Sequence, residues 1–190
     1  MAADTVQPVT RASVPLKLLG LVTAGALVSV SLGVYGKVHD PTGEKPYTLV
    51  FSDTINLKVW FATVAVVLAV LQILLALRLY DRIHVPRSSP SWLGDAHRLT
   101  GIAAFGFTLP VAYQCLWALG FQSIDTRVLL HSLLGCTFFG AFTIKVFAVR
   151  THGLPSWVLP VAGGTLFAVL IVVWTTSSVW FWREFGFPSF

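Results

Sequence analysis

Apolar residues fall into five long blocks along the chain, separated by short polar links. Each block approaches the roughly 20 residues that a helix needs to cross the hydrocarbon core of a bilayer. The blocks are continuous rather than alternating, and lipid offers no partner to an open backbone, which favours helices over barrel strands. The pattern predicts an all-α integral membrane bundle of five transmembrane helices, forming a single membrane domain over residues 1–190. The predicted spans are residues 16–36, 55–80, 97–121, 128–149 and 157–182.

The composition strengthens this prediction. Hydrophobic residues make up 55% of the chain and charged residues 11%, and the mean hydropathy is +0.77. A soluble domain rarely combines such values, and the links leave little chain for one. The net charge of +5 is not arranged as a basic surface with interleaved aromatic residues, so nucleic acid is not an expected partner. We expect a multi-pass protein of the cell membrane whose main partner is the lipid bilayer.

Basic residues beside the spans predict the orientation, because Lys and Arg are retained on the cytoplasmic side. With the N-terminus inside, eight basic residues fall on the cytoplasmic side and five fall outside. The eight are Arg11, Lys17, Arg78, Arg82, Arg87, Arg98, Lys145 and Arg150, and the five are Lys37, Lys45, Lys58, Arg127 and Arg183. We therefore expect a cytoplasmic N-terminus and an outer C-terminus.

Small residues at intervals of four predict where helices approach closely in a membrane. The first span has Gly25, Ser29 and Gly33, and the fourth has Ser132, Cys136 and Gly140. Such spacing also arises by chance in spans rich in glycine and alanine, so both interpretations stay open. Pro110 lies deep in the third span and should bend it, because proline removes a hydrogen bond to the carbonyl of Gly106.

Cys115 and Cys136 fall at comparable depth in neighbouring spans, so a disulfide is geometrically conceivable. Thiols within hydrocarbon are more often small packing residues. Lys145 also has a simple interpretation, because a lysine near a helix end can extend its stem and place its ammonium among the cytoplasmic headgroups. The common hydrolase, metalloprotease and nucleotide-binding motifs do not occur, so the motifs do not decide whether the protein is an enzyme.

Histidine carries the candidate chemistry. His131 lies just inside the fourth apolar span, where an ionisable group is costly and usually has a partner or a task. His97 opens the third span on the cytoplasmic side, and His39 follows the first span on the outer side. For His39 and His97, a solvated or interfacial position is the alternative to ligand binding. His84 and His152 are interpreted as loop residues.

Two stretches led by histidine, HRLTG at 97–101 and LHSLLG at 130–135, resemble the helices of cytochrome-b-type transmembrane electron-transfer proteins, including ferric-reductase-like ones. This resemblance covers residues 97–150. More of the chain resembles an uncharacterised family of small bacterial multi-spanning membrane proteins that has no assigned activity. The segments that carry this second resemblance are GVYGKVHDPTGE at 33–44, LGFQSIDTRVLLHSLLG at 119–135 and LPSWVLPVAGG at 154–164.

The cytochrome-b resemblance implies haem b, held between two histidines at equal depth. A complete two-haem set is missing, because Lys145 lies fourteen residues after His131, and Gln114 lies where an opposing ligand would be expected. At 1.5 Å per residue, His97 and His131 are about 30 Å apart along the membrane normal and cannot bind one iron. The candidate haem ligands are therefore His131 with His39 on the outer side, and His97 as a separate inner ligand.

Two functional hypotheses follow. The first is a b-type haem protein that passes electrons toward or across the bilayer to a redox partner. The second is a non-catalytic membrane subunit or assembly factor of a larger complex, which explains the same spans without a cofactor. A transporter ranks last, because five spans do not divide into two equal repeats.

Overall fold

The computed structural model describes residues 13–44, 47–83 and 90–188. These ranges are helical for most of their length and contain no strand. Five helical stretches among them are long and apolar enough to cross a membrane, so the predicted all-α membrane bundle is confirmed. The observed ends fall within four residues of the predicted ones. His84 lies outside the described residues.

Two of the five spans change helix type near one end. The uninterrupted α-helical spans are α1 (Ser13–Val38), α2 (Thr54–Leu79) and α4 (Thr126–Arg150). In the third span, α3 (Leu93–Tyr113) continues into a first π-helical segment (Gln114–Leu119). The fifth span consists of α5 (Val158–Trp174), a second π-helical segment (Thr175–Val179) and α6 (Trp180–Phe185). We call the side where α1, α3 and α5 begin the amino face, and the opposite side the carboxyl face.

Neighbouring helices in the bundle run antiparallel. The α1 helix packs on α4, α4 packs on α5, α5 packs on α2, and α2 packs on α3. At the amino face, Leu21, Ala148 and Val158 from α1, α4 and α5 form one buried cluster. Near the middle of the bundle, Val66, Phe138 and Leu170 from α2, α4 and α5 form a second cluster.

Small residues bring α1 and α4 into close contact. A Cβ atom added to Gly25 would lie 2.8 Å from the carbonyl oxygen of Gly140, and one added to Gly33 would lie 4.0 Å from the sulfur of Cys136. A Cβ atom added to Gly140 would collide with the side chain of Ser29. The structure decides between the two interpretations that the spacing left open: both stripes belong to one interface between α1 and α4, because only small residues permit this approach.

Aromatic side chains separate α3 from α4. The rings of Phe105 and Phe142 stack with centroids 3.7 Å apart, and the ring of Phe139 meets Phe105 edge to face at 5.8 Å. Between α1 and α4, glycine leaves no side chain between the two backbones, whereas between α3 and α4 these rings fill the space. The backbones of α3 and α4 therefore stay apart, and a cavity lies between them toward the carboxyl face.

Polar groups fix the helix ends at the carboxyl face. The carboxylate of Asp53 accepts hydrogen bonds from the first amides of α2, and that of Asp125 accepts one from Val128 at the start of α4. The link after α1 is bonded to the first π-helical segment, since the amide of Gly43 donates to the carbonyl of Ala118 at 3.1 Å. Gly120 has a φ of +68°, which glycine adopts without strain, and it ends that segment.

The proline and cysteine predictions can be compared with the structure directly. Pro110 lies inside α3, and the helix changes to π-helical pairing four residues later, at Gln114. Cys115 and Cys136 are both free thiols. The packing interpretation of the two cysteines therefore replaces the conceivable disulfide.

Candidate ligand-binding site

A cavity of about 310 Å³ lies within the carboxyl-face half of the bundle. Its volume is at the lower end of the range that small-molecule sites occupy. Most of its lining is apolar, with side chains contributed by every span. Representative apolar residues are Leu32, Val59, Leu116, Phe138 and Leu170. The apolar lining favours a ligand with a hydrocarbon or aromatic body.

Both π-helical segments line this cavity. The first contributes Cys115, Leu116 and Leu119, and the second contributes Thr176, Ser177 and Ser178. A π-helical turn is rare, and such turns occur frequently at functional sites because they displace side chains from the regular helical positions. Two of them beside one cavity therefore mark this part of the bundle as the candidate site.

Ser178 is a buried polar residue of the cavity wall. Its side chain is only 1% exposed, and its hydroxyl has no hydrogen-bond partner. A buried hydroxyl without a partner costs on the order of 1–3 kcal/mol. A ligand oxygen or nitrogen in the cavity would remove that cost.

The tautomer of His131 follows from its contact with Thr176. The Nδ1 atom of His131 lies 3.2 Å from the hydroxyl oxygen of Thr176, and this hydroxyl donates its own proton to the carbonyl of Val172 at 2.8 Å. Because this hydroxyl has backbone acceptors for its own proton, the contact favours the tautomer in which Nδ1–H donates a hydrogen bond to the hydroxyl oxygen. This arrangement leaves the lone pair on Nε2, the form in which histidine binds a metal ion or accepts a hydrogen bond.

Two cationic side chains line the cavity toward the carboxyl face, Lys58 and Arg127. The guanidinium of Arg127 lies 3.9 Å from the ring centroid of Trp180 and donates to the carbonyl of Thr176 at 2.8 Å. Its ion pair with Asp125 is long, at 3.9 Å. Among the described residues, no Asp or Glu lines the cavity. The site is therefore electropositive and favours a ligand with an anionic group.

The three candidate histidines lie in three different environments. The ring of His39 stacks between Tyr35 and Trp117, with centroids 4.9 Å and 5.1 Å away. Its Nε2 atom donates to the carbonyl of Trp117 at 2.8 Å, and its side chain does not line the cavity. His97 lies near the amino face, where its carbonyl accepts a hydrogen bond from Gln72. Only His131 contributes to the cavity, and the described residues contain no cluster of three metal-binding side chains.

Some groups of this site were absent from the sequence predictions. Thr176 and Ser178 were not singled out, and Lys58 and Arg127 entered only as charges that set the orientation. One signal was available in the chain. Residues 175–178 read Thr-Thr-Ser-Ser, a run of four hydroxyl side chains inside an otherwise apolar span. Such a run in a membrane helix indicates side chains that face protein or a polar cavity rather than lipid.

The five membrane-length helices define the class of the molecule, a multi-spanning helical membrane protein with a cavity in one half of the bundle. A model of one protein family matches residues 18–189, nearly the whole chain. The chain therefore belongs to the DUF6529 family, a family of unknown function. No curated protein and no solved structure matches the chain.

Proposed function

We propose that this membrane protein binds an amphipathic, anionic small molecule in the carboxyl-face cavity. The apolar body of the ligand would lie among the side chains of α2, α3, α4 and α5, and its polar groups would meet Lys58, Arg127 and His131. The observation that carries the proposal is the unpartnered hydroxyl of Ser178, buried in the wall of the cavity that His131 lines. In native proteins, buried polar groups without a partner are rare unless a ligand, an ion or a water molecule satisfies them.

Haem b is the ligand that the cytochrome-b resemblance implies, and the cavity fits it in part. His131 would hold the iron of the haem through a ring nitrogen, because its contact with Thr176 favours the tautomer with a free Nε2 lone pair. Arg127 and Lys58 would pair with the two carboxylates of the haem. No second histidine lines the cavity, so the proposal differs from the pair of His131 with His39 and assigns one iron-holding histidine, His131, to the site. When bound, the haem would supply reversible one-electron chemistry.

The side chains around the haem would then have simple roles. His131 would hold the iron, Arg127 and Lys58 would orient the carboxylates, and the surrounding Phe and Leu side chains would exclude water. Exclusion of water tunes the reduction potential of a buried haem. The protein would act as an electron carrier and would exchange electrons with a redox partner or a neighbouring membrane subunit.

We also propose a location and an orientation. The excess of basic residues beside the amino face supports a cytoplasmic N-terminus, which would place the cavity in the outer half of the cell membrane. The resemblance to small bacterial membrane proteins supports a bacterial cell membrane. The helices would function as one membrane domain.

The haem proposal is tested by absorption spectra of the full chain purified in detergent, first oxidised and then reduced with dithionite. We expect a Soret band and sharp reduced bands in the wild type. The His131→Ala variant should lose them, and the His39→Ala variant should keep them. Size-exclusion profiles of both variants confirm that they remain folded.

Other outcomes separate the levels of the proposal. A colourless protein whose organic extract contains a stoichiometric lipid acid would contradict haem and retain the amphipathic-ligand proposal. A colourless, folded protein with no extractable ligand would contradict both and favour a non-catalytic subunit or assembly factor of a larger complex.

A further inference from the structure

A second group of polar side chains lies in the amino-face half of the bundle, outside the cavity. It consists of Gln72 from α2, His97 and Thr100 from α3, and Lys145 from α4. The side-chain amide of Gln72 is buried and donates to both the carbonyl of His97 and the hydroxyl of Thr100. These bonds hold α2 and α3 together near the amino face.

The aromatic stack sets the register between α3 and α4. Phe105 and Phe142 lie at one level, since their ring centroids are 3.7 Å apart. From that level, His97 lies about 12 Å toward the amino face, and the Cα atom of Lys145 lies about 4.5 Å in the same direction, at 1.5 Å per residue. An extended lysine stem spans most of the difference. The ammonium of Lys145 is accordingly close enough to the ring of His97 for an electrostatic interaction.

Neither of these basic groups has an acidic partner among the described residues. Near the amino face, Asp81 pairs with Arg78 at 3.4 Å, and Asp95 pairs with Arg98 at 3.7 Å. No described carboxylate forms an ion pair with Lys145. In addition, the Nδ1 atom of His97 is buried and has no hydrogen-bond partner. One cation and one unsatisfied ring nitrogen thus lie within electrostatic range of each other.

The depth of this pair identifies the kind of anion that could reach it. His97 lies four residues from the start of α3, and Lys145 lies five residues from the end of α4, which places both about 6–8 Å inside the helix ends. The spans contain 25 to 28 residues, or roughly 40 Å of helix, against about 30 Å of hydrocarbon. About 5 Å at each end therefore lies among the headgroups. The Cα atoms of the pair therefore lie about 1–3 Å inside the hydrocarbon, and the lysine stem is long enough to reach the lipid phosphates beyond the boundary.

We propose that Lys145 and His97 form a binding site for the phosphate of an anionic phospholipid in the leaflet at the amino face. The ammonium of Lys145 would neutralise the phosphate, and the buried nitrogen of His97 would donate a hydrogen bond to it. Basic groups between transmembrane helices recognise lipid headgroups in this way. The proposal is independent of the ligand in the carboxyl-face cavity and of the orientation of the protein.

Native mass spectrometry of the full chain in detergent tests the site, with titration of phosphatidylglycerol and of phosphatidylcholine as the zwitterionic control. We expect the wild type to bind one phosphatidylglycerol molecule in preference to phosphatidylcholine. The Lys145→Gln variant should bind it about fivefold more weakly, and the Lys145→Arg variant should bind it as the wild type does. The Lys17→Gln variant is the matched control, because Lys17 is at the same face and donates to the carbonyl of His152. It should leave the affinity unchanged.

Three results would overturn the proposal. Equal binding of the two lipids, or an unchanged affinity in Lys145→Gln, would show that the pair does not select a lipid phosphate. Displacement of phosphatidylglycerol by millimolar inorganic phosphate would assign the site to free phosphate rather than to a lipid. The His97→Gln variant adds a second check, because it retains a side-chain donor and should weaken binding less than His97→Leu does.

Discussion

The two halves of the bundle treat buried polar groups differently. In the amino-face half, the amide of Gln72 binds two acceptors on α3, and α1 meets α4 through glycine. In the carboxyl-face half, π-helical segments and phenylalanine rings keep the helices apart, and Ser178 in the cavity wall has a buried hydroxyl with no partner. At these two positions, the amino-face half uses a buried polar group to hold helices together, and the carboxyl-face half leaves one without a protein partner beside a cavity. This difference distinguishes structural polar residues from those that can serve a ligand.

The largest expected effect lies in the closely packed contact. The Gly140→Ala substitution places a methyl group against the backbone of Gly25, so we expect a loss of about 2 kcal/mol in the free energy of unfolding. Unfolding of the purified protein by SDS measures the loss. Gly163 on α5 provides the control, because a Cβ atom added there meets no atom within 4 Å. If Gly163→Ala is as destabilising as Gly140→Ala, α1 and α4 do not pack as described.

A smaller effect is expected at the polar contact of the amino-face half. The Gln72→Leu substitution removes the hydrogen bonds to His97 and Thr100 while it conserves most of the side-chain volume. We expect a loss of about 1 kcal/mol in the free energy of unfolding, the upper range for a polar contact between membrane helices. The same SDS titration measures it. A variant as stable as the wild type would mean that Gln72 does not hold α2 to α3.

No loss of stability is expected at Ser178. Its hydroxyl is buried without a partner, so the Ser178→Ala substitution removes an unfavourable burial and should raise the free energy of unfolding of the ligand-free protein, by about 1 kcal/mol. The same variant should retain less ligand, by about five- to tenfold in affinity, because it loses one hydrogen bond. Haem retained through purification gives the readout.

Ser177→Ala is the control for this prediction. The hydroxyl of Ser177 also belongs to the second π-helical segment, but it donates to the carbonyl of Val173 at 2.8 Å. The Ser177→Ala variant should bind the ligand with the affinity of the wild type. Loss of ligand in Ser177→Ala, together with its retention in Ser178→Ala, would contradict the assignment of Ser178 to the site.

The features that the sequence predicts correctly are those decided by residues that lie close together in the sequence. The spans follow from length and hydropathy. The small-residue face of α1 follows from a spacing of four residues, which places Gly25, Ser29 and Gly33 on one side of the helix, although the spacing does not say that this face meets α4. Each of these inferences uses only one segment at a time, and local geometry is enough to decide it.

The cavity could not be predicted in the same way. It depends on two π-helical segments from different spans, and a π-helical turn has no hydropathy pattern that distinguishes it from an α-helical one. The pairing of His39 with His131 used depth alone, and depth does not decide which helix a ring faces. Tyr35 and Trp117 enclose the ring of His39, whereas His131 faces Thr176 on the opposite side of α4.

The central claim is that the carboxyl-face cavity holds a ligand. An experimental structure of the full chain, purified gently from its native membrane, tests this claim most directly. We expect non-protein density in the cavity, within hydrogen-bond distance of the Ser178 hydroxyl and in contact with the Nε2 atom of His131. A cavity that contains only water, or that is closed by the side chains around it, would contradict the claim.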